Sequence, residues 1–448
     1  MLASDAVRLP LLAGLAVLVL VLLIARARLH AFIALTLVSI TVGLAAGMPP
    51  TAAIRAFQEG VGATLGFIAV VIGLGTVFGK LLAESGAARV VAAAMTEAVG
   101  ARGLPWTVAA LGFIIGLPVF FSVGLVLLFP IVVGLAAASG RPLLSLALPL
   151  VAGLSASHGL VPPHPGPLAA IDRLGADTGR AILYAILCAI PAVMIAGPVF
   201  VRLVVPRLAP ATPTTVLIES AGVPARPPGF ATSVLTILLP VLLMLSATLA
   251  DVTLAADDPV RRWIDFAGSP AVAMLVATLV ALRVFGTACG FDMKTLLRFC
   301  EESLGPIASV LLVVGAGGGF GRVLDQAGVG QSIAAATASL PVSTLVAGWL
   351  IAALLRIAVG SATVAITTAA SLVTPMAAAD PSTSRELLVV ALGAGSLVAS
   401  HVNDGGFWLV KEYLGLEVGD TLRSWTVMET IISVTALAAV LTLAAAGL

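Results

Sequence analysis

The chain has 448 residues, 60% of them hydrophobic and 10% charged, with a formal net charge of +1. A mean hydropathy of +1.15 leaves too little polar surface to coat a soluble globule of this size, and predicts a polytopic helical membrane protein. Apolar runs of about 20 residues without alternating strand patterns argue against an outer-membrane barrel, and the lack of any Lys/Arg-rich run argues against a nucleic-acid partner.

Apolar runs read against polar or Pro/Gly punctuation predict spans near 9–25, 28–47 and 61–83, followed by a connecting helix near 86–99. The first run ends in Arg26-Ala27-Arg28 without a small-residue cleavage site, so it is expected to be a retained span. Residues 104–138 are apolar but interrupted at Gly116-Leu117-Pro118, and each piece is short for a bilayer of about 30 Å, which predicts a re-entrant hairpin. A broken helix near 142–173, with its gap at 157–167, and a span near 178–205 complete a first repeat over 1–206. The Pro-rich stretch 207–228 reads as a central loop.

The second repeat, 229–448, follows the same plan: spans near 230–250, 267–289 and 304–325, a hairpin at 341–377, a broken helix at 384–414 and a last span at 421–446. Gly73-Leu74-Gly75-Thr76-Val77-Phe78-Gly79-Lys80 resembles Gly315-Ala316-Gly317-Gly318-Gly319-Phe320-Gly321-Arg322, and Leu174-Gly175-Ala176-Asp177-Thr178-Gly179 resembles Leu414-Gly415-Leu416-Glu417-Val418-Gly419. Five crossings plus a hairpin per half give an odd number, so the repeats are expected to be inverted. Placing both termini outside gathers most Lys and Arg on the cytoplasmic side.

The breaks are duplicated too, since Ala152-Gly153-Leu154-Ser155-Ala156-Ser157-His158 and Gly395-Ser396-Leu397-Val398-Ala399-Ser400-His401 each run into a helix-breaking loop. Freed backbone groups at membrane depth cost several kcal/mol each unless protein or water satisfies them, so paired breaks are expected to line a cavity. Ser157, His158, Ser400, His401, Asn403 and Asp404 are therefore candidate binding residues. An acid at this depth is costly unless neutralised or paired, which makes Asp404 a candidate proton carrier or, alternatively, a cap for the next half-helix. His158 is a second candidate proton carrier, the alternative being a bond to a nearby backbone carbonyl.

The second hairpin tip, Val359-Gly360-Ser361-Ala362-Thr363, offers Ser361 and Thr363 at a half-helix start. Arg356, one turn earlier, needs an anion: a substrate carboxylate, a structural partner, or escape by snorkelling. The six-residue spacing of His158 and His164 matches no zinc pattern, and Cys188, Cys289 and Cys300 form neither a metal motif nor a disulfide framework, so no metal is expected. The Gly-rich runs lack dinucleotide spacing, so no cofactor is expected, and close helix packing is the better reading of them. A membrane-embedded hydrolase, suggested by adjacent Ser and His, and a passive channel are the rival function classes.

The segments Ser157-His158-Gly159-Leu160-Val161-Pro162-Pro163-His164-Pro165-Gly166-Pro167, Gly360-Ser361-Ala362-Thr363 and Ser400-His401-Val402-Asn403-Asp404-Gly405-Gly406-Phe407-Trp408 resemble signatures of the gluconate permease (GntP) family. The resemblance implies a bacterial inner-membrane symporter that imports gluconate or a related small hydroxy monocarboxylate with protons, without cofactor. It also implies the two-hairpin, inverted-repeat plan of the ion transporter superfamily, whose members are commonly homodimers that move substrate by an elevator motion. D-serine or another small acid, or a different coupling ion, is the alternative within this class. One position departs from the family's pattern: Leu117-Pro118-Val119-Phe120-Phe121-Ser122-Val123-Gly124 carries Ser122 where the family usually has a glutamate, so Ser122 joins the candidate residues and the coupling proton needs another seat.

Overall fold

The computed structural model describes residues 5–207, 226–255, 257–328, 343–401 and 404–448, and among these every regular element is helical. Most of the expected central loop therefore lies outside the described residues. Among the described residues seven helices are long and apolar enough to cross a membrane, or up to eight if Pro50–Phe67 and Ala69–Glu84, bent by 42°, count as one span. The apolar runs predict about ten; part of the difference is helix length, and part is the second broken helix, interrupted between Gly395 and Gly405. Ala31–Ala45 has only 15 residues, about 22 Å at 1.5 Å per residue, because His30 caps its start and Gly47, with φ +96°, ends its final turn.

The second half also contains two helices where the sequence suggests only connections, Pro259–Gly268 and Met293–Leu304. Each is capped by an aspartate, Asp258 or Asp292, that accepts a bond from a first-turn backbone N–H. Their charged residues hide them from a reading based on apolar runs.

Both hairpins turn where the breakers stand. Gly100, with φ +70°, separates the connecting helix from the first limb within Ala87–Gly116, and after the tip the chain resumes as Phe121–Ser139. The second hairpin pairs Thr344–Val359 with Ala362–Ala379. Its open end is stapled by Thr344 Oγ1 donating to Asp380 Oδ2 at 2.9 Å. Hydroxyl donors from Ser382, Thr383 and Thr344 hold the Asp380 carboxyl down at about 2, so the staple's acceptor stays ionised at any physiological pH.

The first broken helix runs from Leu144 to Leu160 and resumes as Pro165–Leu174; the second stops at Gly395 and resumes as Gly405–Leu414. The first break is narrower than expected. Ser157 and His158 lie in the final helical turn, where the Val161 N–H closes on the Ser157 carbonyl at 3.0 Å, and the chain leaves the helix only as it reaches Pro162 and Pro163. Both resumed half-helices have ten residues and end on a left-handed glycine, Gly175 at φ +63° and Gly415 at φ +60°.

The broken helices form the centre of the molecule. Every residue of Leu144–Leu160 except His158 is buried, as are Leu387 to Gly395. They meet at Gly159 and Gly393, where a methyl on Gly393 would come within 2.5 Å of the Gly159 carbonyl oxygen. The second Gly-rich run packs closely as anticipated, Gly318 and Gly319 lying against Gly60, Thr64 and Phe57, whereas the first run makes only ordinary contacts at Gly73, Gly75 and Gly79. Gly393→Ala is expected to lose about 1–3 kcal/mol, read as a lower thermal midpoint in detergent, and an unchanged midpoint would show that the crossing is not close-packed.

Candidate functional site

Three helices begin at one cavity of about 430 Å³, within the range of small-molecule sites. The first is Phe121–Ser139, whose N-cap residue Phe120 supplies no side-chain acceptor, so its leading N–H groups remain open toward the cavity beside Ser122. The second is Ala362–Ala379. Gly360, left-handed at φ +80°, ends the preceding limb, and Ser361 caps the next one by accepting from Val364 N–H at 3.4 Å. The third is Gly405–Leu414, capped by Asp404, whose Oδ1 accepts from Gly406 N–H at 2.9 Å. Helix N-termini carry partial positive charge, so the cavity suits an anion.

A full positive charge stands among them. Arg356 is only 4% exposed; its Nη1 donates to the Gly360 carbonyl at 2.6 Å and its Nη2 donates to Asp404 Oδ2. Of the three fates open to Arg356, the structure shows a structural partner. The same Asp404 oxygen accepts from the Ser400 hydroxyl. That direction follows from the carboxylate, which only accepts, while Ser400 Oγ itself accepts from Trp425 Nε1 at 2.8 Å. Thr426 donates to the Ser400 carbonyl, and Thr430 Oγ1 accepts from Ala399 N–H at 3.1 Å. The last span, Val418–Ala445, thus grips the second break from outside.

On the opposite wall, His164 Nε2 lies 2.7 Å from the Gly116 carbonyl and His164 Nδ1 lies 3.2 Å from His158 Nδ1. A carbonyl only accepts, so His164 must donate from Nε2. With both rings neutral, His164 Nδ1 is an acceptor, His158 Nδ1 carries the hydrogen, and His158 Nε2 keeps its lone pair at the cavity. Phe120 and Phe121 pack beside these polar groups, Phe120 at 6.0 Å from the His158 ring and Phe121 at 5.3 Å from Trp425.

Six of the residues singled out from sequence line this cavity: Ser122, His158, Arg356, Ser361, Thr363 and Asp404. Ser157 does not; it is buried beneath the first hairpin tip against Gly116, its hydroxyl turned to the Leu154 carbonyl at 2.9 Å. Ser400 acts behind the wall on Asp404, and His401 Nδ1 lies 2.8 Å from the Ala399 carbonyl, outside the lining. Asn403 lies outside the described residues. Sequence reasoning missed Ser155, Trp425 and the buried Glu429. An acid within an apolar span was the available signal for Glu429. Among the described residues no group of three His, Cys, Asp or Glu side chains is placed to hold a metal ion.

Residues 9–446 match the family described as GntP family permease. The chain is 47% identical over 427 residues to a gluconate permease of Pseudomonas aeruginosa, covering 95% of each, and 37% identical over 428 residues to the D-serine transporter DsdX of Escherichia coli, covering 94% of this chain and 95% of that one. In fold it is similar to the YdaH transporter of Alcanivorax borkumensis, with a TM-score of 0.64 at 19% identity over 93% of this chain and 98% of that one.

Removing one member of a buried ion pair strands the other. Arg356→Gln and Asp404→Asn are each expected to cost about 3–5 kcal/mol, and the double variant less than the sum, in thermal unfolding of purified protein. Additive losses would show that the two side chains act independently.

Proposed function

We propose, for a chain that belongs to the GntP family of permeases, that it imports gluconate or a closely related sugar acid across the bacterial inner membrane together with a proton. The chain is a permease and not an enzyme. The observation that carries the substrate class is the convergence of three helix N-termini and Arg356 on one cavity with hydroxyl-bearing walls. A carboxylate is stabilised by the N-terminal dipoles and by the guanidinium, which it shares with Asp404. A polyol tail finds both donors and acceptors in Ser122, Ser361, Thr363 and the free His158 Nε2.

The two proton carriers suggested by sequence are unequal in this reading. Asp404 already accepts from a guanidinium, a hydroxyl and a backbone N–H, and protonating it would dissolve an ion pair, so we assign it an anchoring role. His158, with one nitrogen open to the cavity, reads substrate hydroxyls. The matching ten-residue half-helices support treating the halves as inverted repeats, with both termini outside and the site between them. Two copies then form a homodimer, each carrying its own cavity.

A second reading is import of a small amino acid, favoured by the DsdX likeness and by a carboxylate, Asp404, able to receive an ammonium group. Proteoliposomes with an imposed pH gradient, acid outside, are expected to accumulate labelled gluconate, to stop on addition of a protonophore, and to be competed by unlabelled gluconate more strongly than by D-serine. Stronger competition by D-serine would favour the second reading; accumulation that follows a sodium gradient instead would overturn proton coupling.

A further inference from the structure

Glu429 lies in the last span with 0% exposure, and neither carboxyl oxygen makes a well-formed hydrogen bond. Among the described residues no other buried carboxyl is left without a partner in this way. The Ser155 hydroxyl is the polar group facing it, and Ser155 itself lines the cavity. Arg356, of opposite charge, and Asp404, of like charge, lie within electrostatic reach. Among the helices packed against this span, His158, Tyr184 and Cys188 are the other inner titratable groups, while Arg180, Arg385 and Glu386 stand in the first turns of theirs.

We infer that Glu429 is the group that takes up and returns the driving proton, exchanging it with the cavity past Ser155. The inference rests on the proposed transport of a sugar acid. A carboxylate with no paired cation and only the Ser155 hydroxyl beside it, in a water-excluded site, is costlier than its acid form, so in this conformation Glu429 holds a proton. Arg356 and Asp404 neutralise each other, which leaves the cavity without net negative charge when Glu429 is protonated. An arriving substrate carboxylate is then accepted; with Glu429 ionised it meets a second uncompensated negative charge. Substrate and proton therefore favour each other's binding, which is the thermodynamic content of symport. On the other side the order reverses: the substrate leaves, and the proton passes from Glu429 to cavity water. The helix turn after Glu429 carries Thr430, bonded to Ala399, so the proton's seat is directly tied to the second break.

The test uses the full chain in proteoliposomes, wild type and Glu429→Gln, which keeps the shape of the protonated acid. Gluconate counterflow without a pH gradient is expected within about twofold of wild type, while pH-driven accumulation falls at least about tenfold. Wild-type gluconate affinity is expected to weaken by up to about tenfold per pH unit on the alkaline side, and the variant's to stay flat. A variant that still accumulates substrate on a pH gradient, or whose affinity keeps the wild-type pH profile, overturns the assignment. Infrared difference spectra of the wild type between acid and alkaline pH read the acid without any substrate: a protonated-carboxyl band that Glu429→Gln removes supports the assignment, and a band that survives overturns it. Absent wild-type counterflow with that band present would sink the gluconate reading alone. Should Glu429→Gln not fold, Ser155→Ala serves: a shifted pH midpoint for that band supports the exchange route, and an unmoved one overturns it.

Discussion

The ion pair between Arg356 and Asp404 is the constraint on which the site depends. It joins residues 48 positions apart, the last turn of a hairpin limb and the start of a half-helix, in surroundings where neither charge could stand alone. Each member also acts locally, since Arg356 holds the carbonyl of the left-handed Gly360 at the turn and Asp404 caps Gly405–Leu414. One contact therefore fixes two helix N-termini relative to each other, and their partial positive charges suit the cavity to an anion.

The rest of the centre is arranged to keep that contact in place. The last span reaches the second break through Trp425, Thr426 and Thr430, and the chain of donors from Trp425 through Ser400 to Asp404 orients the carboxylate before any substrate arrives. On the facing wall a second chain, from His158 through His164 to the Gly116 carbonyl, ties the first break to the first hairpin tip and selects a ring tautomer. Glycines at 159 and 393 let the two broken helices approach to backbone contact, so the two walls behave as one packed unit and not as separate kinks.

Much of this is legible residue by residue. Hydropathy places the spans, Gly116-Leu117-Pro118 and Gly360-Ser361 mark the hairpin tips, and the prolines after Val161 mark the first break. The departures have physical causes. Ser157 reads as cavity-lining because it precedes His158 in a motif, but adjacent residues on a helix point about 100° apart, and Ser157 turns under the hairpin tip. Analogy between the halves gives His401 the part of His158, yet the second helix stops at Gly395, so His401 sits in irregular chain with its ring against Ala399. Glu429 escapes a reading by hydropathy alone, because one acid barely alters the mean of an otherwise apolar span, although the acid itself is a visible signal.

The amino-acid sequence alone determined the class of molecule and the location of its helix breaks, because hydropathy, proline and glycine act over a few neighbouring residues. Only the tertiary structure decided which groups meet: that Arg356 answers Asp404, that His164 sets the state of His158, and that Glu429 faces Ser155 with no cation paired to it. A charge at membrane depth requires some counterpart, but the requirement is satisfied by whatever the packing of distant helices brings within a few ångströms, and local sequence carries no record of that distance.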